Sequence, residues 1–296
     1  MTAQALPQTD DITRTKLGQS NKTTLTRILI YGLLIFFAAL FLLPVYMVLV
    51  TSFKSFDQVS LSSMWELPTK ISLEGFTEAF EKLSPNLVNS LMLVIPATII
   101  SAMIGSLNGY VLAKWKIPFA GILFPLMLFG MFIPYQSILI PLVQFLGSIK
   151  WLPLYGNIMG LILVDVIYGI PITTLIFRNY YAEVPTEMLE AGAIDGAGFF
   201  GLYWHIIFPI SAPGFVVVVI WQFTQIWNEF LFAVSIVTNA DKVPITVALQ
   251  NLSGAQVVEW NVQMAGAFLA ALPTLIVYIV LGRYFIRGLL AGSIKG

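Results

Sequence analysis

Six stretches of this sequence run for more than 20 residues with almost no charge, at 28–50, 87–113, 119–146, 157–177, 214–237 and 265–286. Each is long enough to cross the roughly 30 Å hydrocarbon core as a helix. In lipid the backbone must satisfy its own polar groups, which leaves helices or closed barrels, and these runs lack the alternation of barrel strands. The expected fold class is therefore an all-α integral membrane protein with six transmembrane helices. Charge supports this: 10% of the 296 residues are charged, against about 25% in a soluble domain. The first stretch starts too late, runs too long and lacks the small-residue cleavage pattern of a secretory signal, so it is read as a retained helix.

An even number of spans puts both termini on one side, and Lys/Arg bias says which. Arg14, Lys16, Lys22, Arg27, Lys114, Lys116, Arg178, Arg283, Arg287 and Lys295 fall on the terminal side, against Lys54, Lys70, Lys82, Lys150 and Lys242 opposite. Both termini are expected in the cytoplasm, with a multi-pass chain in the cell's inner membrane. Residues 1–25 are polar and read as a flexible cytoplasmic tail, followed by one transmembrane domain at 26–296. The external 51–86 segment, with Trp65 and five acids, suggests short surface helices. Fifteen Lys plus Arg against fifteen Asp plus Glu excludes a basic nucleic-acid binder, and the absence of Cys removes disulfide and thiol chemistry.

The internal loop at 178–213 departs from this pattern. An inner loop should be basic, yet Glu183, Glu187, Glu190 and Asp195 stand beside the single Arg178. Pro185 suits a first helical turn, and Thr186–Ile194 reads as a helix with Glu183, Glu187 and Glu190 on one face. Gly196 and Gly198 break it, as residues able to take positive φ. A second apolar run follows through Phe199, Phe200, Tyr203, Ile206 and Ile207 until Pro209 and Pro213. Pattern alone leaves two readings open: an interfacial hairpin joining two spans, or a docking knob for a cytoplasmic partner.

The residues Glu190-Ala191-Gly192, then Gly196, Ile206, Phe208 and Pro209, resemble the signature loop of ABC importer permeases, E-A-A-x3-G-x9-I-x-L-P, with matching spacing. Gly192 stands where the second Ala is usual, and Phe208 where Leu is. The six-span layout, Ile194-Asp195-Gly196-Ala197, Trp227-Asn228-Glu229-Phe230 and the glycine-rich end at 288–296 are similar to the smaller permease of maltose-type sugar importers. The resemblance implies a type I ABC importer permease fold and four kinds of partner: a second permease chain, a dimer of ATPase subunits, an extracytoplasmic sugar-binding protein and the sugar. It implies that Glu187, Glu190, Ala191, Gly192, Asp195, Gly196, Ile206 and Pro209 form the ATPase-coupling loop. Glu190 would pair with a basic residue of the ATPase, Gly196 would turn the backbone there, and Pro209 would fix the exit into the fifth span. The 292–296 tail would reach toward the ATPase. No G-x-x-x-x-G-K-[ST] occurs, so the chain is expected to hold no cofactor and to be no enzyme, with ATP and Mg on the partner.

Polar residues inside spans mark candidate paths. Asp165 lies mid-span, where a carboxylate costs about 2.5–3.5 kcal/mol to insert and usually faces a bundle interior or a water-filled path. Gln222, Gln225, Asn228 and Glu229 form a second set with Trp221 and Trp227 beside them. From these, Asp165, Gln225, Trp227, Asn228 and Glu229 are the candidate substrate path, with contacts between helices as the alternative. Pro125, Pro134 and Pro141 are expected to interrupt the third span, and Gly169 with Pro171 the fourth. The lone His205 offers no metal set. The external segment 238–264, residues 251–256 especially, faces where a binding protein would dock. An ion-coupled secondary transporter is the alternative function; it would need a dedicated coupling site and an internal repeat. A membrane enzyme would need a nucleophile–base pair or ligand cluster.

Overall fold

A computed structural model describes residues 9–254 and 258–291, with side chains over 26–254 and 258–284. All regular secondary structure among the described residues is helical. Helix α1 (Thr9–Ser52) carries the first apolar run. It begins at Thr9, inside the polar segment 1–25 that precedes the first apolar run. Extending an established membrane helix avoids the cost of nucleation, and no proline lies between Thr9 and Arg27 to stop it. Residues 1–8 fall outside the described residues.

Helix α2 (Glu74–Lys114) has 41 residues, about 62 Å, twice the hydrocarbon thickness. Its first residues, 74–86, precede the apolar run at 87–113 and carry Glu74, Glu78, Glu81 and Lys82. Between the end of α1 and Glu74 the regular structure is a single 3₁₀ turn at Phe56–Gln58, so the start of α2 stands where short surface helices were expected. Pro85 and Pro96 lie within it. α5 (Ile158–Ala182) is also continuous; Gly169 and Pro171 do not interrupt it, because packing against neighbouring helices sustains a helix across a missing amide.

The third span is broken as proline predicts, though at one proline of three. α3 (Ala120–Phe129), a 3₁₀ turn at Gly130–Phe132 and α4 (Tyr135–Ser148) meet at 98°. Pro134 forces Ile133 out of the helical region, to ψ 122°. Pro125 and Pro141 stay inside their helices. After α5 come α6 (Thr186–Ile194), α7 (Phe199–Leu202), a π-turn at Tyr203–Ile207 and α8 (Phe208–Ile210). A 76° bend then leads into α9 (Ala212–Trp227).

The expected fifth span stops at Trp227 and resumes as α10 (Leu231–Ile236). Asn228 Nδ2 turns back to the Thr224 carbonyl at 2.8 Å, while the Glu229 carboxylate accepts the amides of Phe232 and Ala233 at 2.6 and 2.9 Å. Glu229 thus restarts the helix as a cap. α11 (Ile245–Leu252) and α12 (Trp260–Ala291) follow. Counting each bent pair as one span gives six, with α1, α2, α5 and α12 as the unbroken ones.

α2 and α5 form the central pair. Gly105 and Gly109 face α5 so closely that a methyl on Gly105 would stand 2.2 Å from Thr173 Oγ1, and one on Gly109 2.7 Å from the Arg178 nitrogen. This small-residue spacing lets backbones approach where no hydrophobic effect drives helices together. α9 and α12 pack around the pair, and α1, exposed over 26–46, lies on α12.

Candidate functional site

Two regions collect the residues singled out by sequence. In the loop, α6 turns Leu189 inward and leaves Glu187, Glu190 and Ala191 exposed, with Glu183 and Asp195 exposed at its flanks. None of these acids forms an ion pair among the described residues. Among the described residues the ion pairs are those of Lys82 with Glu78 (2.5 Å) and Glu259 (3.1 Å), at the opposite end. Arg178 places its guanidinium 4.8 Å above the Phe124 ring instead. Lys114 Nζ donates to the Val184 carbonyl at 2.5 Å, tying the end of α2 to the loop's start.

Gly196 has φ +89°, the left-handed region that favours glycine. Gly198, with φ −78°, is extended backbone, so one glycine rather than two makes the elbow. Gly192 also has a reason: a methyl there would meet Ile206 Cδ1 at 2.5 Å and Leu202 Cδ2 at 2.8 Å. The side chain of Ile206 occupies the space an alanine would use. Phe208 packs between Trp204 and Phe215, with ring centroids at 4.9 and 5.3 Å, and Pro209 is exposed in α8. Leu202, Tyr203 and Ile207 face inward, whereas Phe200, expected on the same stripe, is 64% exposed. Phe200 stands on α7, ahead of the π-turn, while the inward positions 199, 202, 203, 206 and 207 keep helical spacing.

The second region is a cleft of about 590 Å³ between α5, α9, α10 and the α3–α4 break. Asp165, Gln225, Asn228 and Glu229 all line it, as do Gln222, Trp221, Tyr135 and Tyr168. Trp227 does not. It is 2% exposed, stacks on Phe223 and donates its Nε1–H to the Ala270 carbonyl at 2.9 Å, so it braces α9 against α12. Trp221 supplies the aromatic wall instead. Tyr168 was findable in sequence, three residues after Asp165 on one helical face; Tyr135 required the break after Pro134. Asp165 is 4% exposed and its Oδ2 has no hydrogen-bond partner. Gln222 Nε2 lies 3.4 Å from the Asp165 carbonyl and over Gly169, in space a methyl would fill. The lining holds two carboxylates, three carboxamides and three aromatic rings with a polar edge, and no Lys, Arg or His. Such a set, in a volume typical of small-molecule sites, suits a neutral polyhydroxylated ligand.

Asn251 lies in the last turn of α11 and a turn follows at 253–254, while 255–256 lie outside the described residues, as does the 292–296 tail.

Residues 103–290 match the family described as binding-protein-dependent transport system inner membrane component. A probable ABC transporter permease protein of Pyrococcus horikoshii is 46% identical over 272 residues, covering 92% of this chain and 98% of the relative. The xylose/arabinose import permease protein XacI of Haloferax volcanii is 38% identical, covering 90% of this chain and 92% of its own. A solved bacterial ABC transporter involved in importing the acidic polysaccharide alginate superposes with a TM-score of 0.73 at 19% identity, over 96% of this chain and all of that one.

Proposed function

Because this chain belongs to the family of binding-protein-dependent transport system inner membrane components, we propose that it is one permease half of an ATP-driven sugar importer. In this reading it pairs with a second permease chain in the cell membrane and receives sugar from an extracytoplasmic binding protein. It couples through 183–209 to a separate pair of ATPase subunits in the cytoplasm, which carry the ATP and Mg. Both termini are then cytoplasmic.

The observation that carries the reading is the exposed acidic face of α6. Two carboxylates on a short, packed helix, Glu187 and Glu190, with Glu183 and Asp195 at its flanks, form no ion pair among the described residues, and such an exposed acidic face is what a basic cleft on a partner would accept. Closure of the ATPase pair would draw α6 with it, and the packed loop would carry the span ends along. The cleft of Asp165, Gln225, Asn228 and Glu229 supports a sugar path: carboxylates and carboxamides accept and donate to hydroxyls, and Trp221 offers an apolar ring face.

The test is uptake of labelled D-xylose, L-arabinose and maltose by the co-purified complex in proteoliposomes loaded with ATP, each sugar presented with the complex's binding protein. Glu190→Lys and Gly196→Asp are expected to abolish uptake while the chain still inserts. Full uptake by either variant overturns the docking assignment. Uptake that a proton uncoupler stops while ATP is maintained would favour ion coupling.

A further inference from the structure

Beneath the loop four buried hydroxyls form an unbroken chain. The Tyr203 hydroxyl lies 2.8 Å from Ser106 Oγ, Ser106 Oγ lies 2.6 Å from the Tyr181 hydroxyl, and Tyr181 donates to Ser211 Oγ at 2.9 Å. Ser211 Oγ in turn donates to the Ile207 carbonyl, inside the π-turn. All four side chains are fully buried. They belong to four different parts of the chain: Ser106 to α2, Tyr181 to α5, Tyr203 to the π-turn and Ser211 to the bend before α9.

Position makes this arrangement informative. Ser106 sits between Gly105 and Gly109, so the close approach of α2 and α5 is what brings its short side chain under both phenols. Phe177, Leu202, Ile207 and Val218 surround the chain of hydroxyls and exclude water. In such surroundings a hydroxyl that loses its partner is costly, so the four elements separate only at a penalty. A π-turn is itself a weakly favoured conformation, often found at functional sites; here both its first residue and its last carbonyl are held. Along α5, Tyr181 is 16 residues from Asp165, about 24 Å, and along α9 Ser211 is 11 residues from Gln222, about 16 Å.

We propose that Tyr203, Ser106, Tyr181 and Ser211 are positioning residues for coupled transport, locking the loop, α2, α5 and α9 into one body. A displacement of α6 then arrives undiminished at the two cleft walls. This rests on the docking role proposed above. Two measurements test it. In the first, Tyr203→Phe and Tyr181→Phe keep the rings and leave the α6 surface untouched. Both complexes should keep their binding-protein-stimulated ATP hydrolysis, while sugar accumulated per ATP falls about fivefold, the effect of one lost hydrogen bond. The sugar is whichever of D-xylose, L-arabinose or maltose the wild-type complex accumulates. An unchanged ratio in both variants overturns the proposal.

The second needs neither sugar nor variant. The chain has no cysteine, so nitroxides can be placed at Ile194 and Ile167, both exposed, on the loop and on α5. Their separation in the complex should be the same without nucleotide and after ATP–vanadate trapping. A wild-type shift overturns the proposal whatever the variants do. Failure of the docking role has a different signature: Glu190→Lys would transport normally while the two-label distance still reports on the joint.

Discussion

Replacing Gly105 and Gly109 together by alanine tests the packing on which every other feature depends. Alanine favours a helix over glycine by about 1 kcal/mol at each position, so propensity alone predicts a more stable chain. Geometry opposes it. The added carbon at Gly105 would lie 2.2 Å from Thr173 Oγ1 and 2.8 Å from the Thr173 carbonyl carbon; at Gly109 it would lie 2.7 Å from the Arg178 nitrogen and 2.9 Å from the Phe177 carbonyl carbon. Three of the four are backbone atoms of α5 and cannot rotate away. α2 would have to recede by roughly 1 Å, forfeiting much of the dispersion along the pair. Overpacking of this kind costs about 1–3 kcal/mol per site. Net of propensity, the double variant should lose about 2 kcal/mol. Gly32→Ala and Gly121→Ala, where nothing lies within 4 Å, should hold or gain stability. The assay is the fraction remaining monodisperse after heating in detergent, compared across the three variants. A double variant as heat-resistant as the Gly32→Ala control would refute the close-packing argument.

Three further outcomes follow from the geometry. Gly196→Ala should cost about 1–2 kcal/mol through the left-handed backbone at φ +89°, read as faster hydrogen exchange confined to the loop. Glu229→Ala should release the amides of Phe232 and Ala233 and destabilise α10 by about 1–2 kcal/mol, seen as roughly tenfold faster exchange at those two amides. Trp227→Phe should lower heat resistance by about 1–3 kcal/mol, since the Ala270 carbonyl loses its donor, yet leave the half-saturating sugar concentration unchanged; Trp221→Ala should do the reverse.

Hydropathy located the spans because lipid imposes one strong rule on every residue it touches. The loop was equally readable: Pro185 and Gly196 bracket α6 as their backbone preferences require, and its bounds match Thr186–Ile194. What local pattern missed depends on distant partners. Trp227 and Trp221 are indistinguishable by composition, and only the position of α12 decides which one faces the cleft. The break after Trp227 hinges on the Glu229 carboxylate reaching forward to amides, a choice made against continuing the helix. Likewise Gly169 suggested a kink, yet serves to admit Gln222. Ser106 drew no notice at all, since a serine in an apolar span carries no signal until two tyrosines converge on it.

The length of α2 has a mechanical meaning. A single rod, unbroken at either internal proline, runs from Glu78, clasped through Lys82 to Glu259 on one surface, to Lys114, fastened to the loop at the other. Those ends are 36 residues, about 54 Å, apart. Without a hinge between them, a tilt imposed at one surface reappears at the other with its sense reversed, and neither side of the membrane can be rearranged without the other registering it.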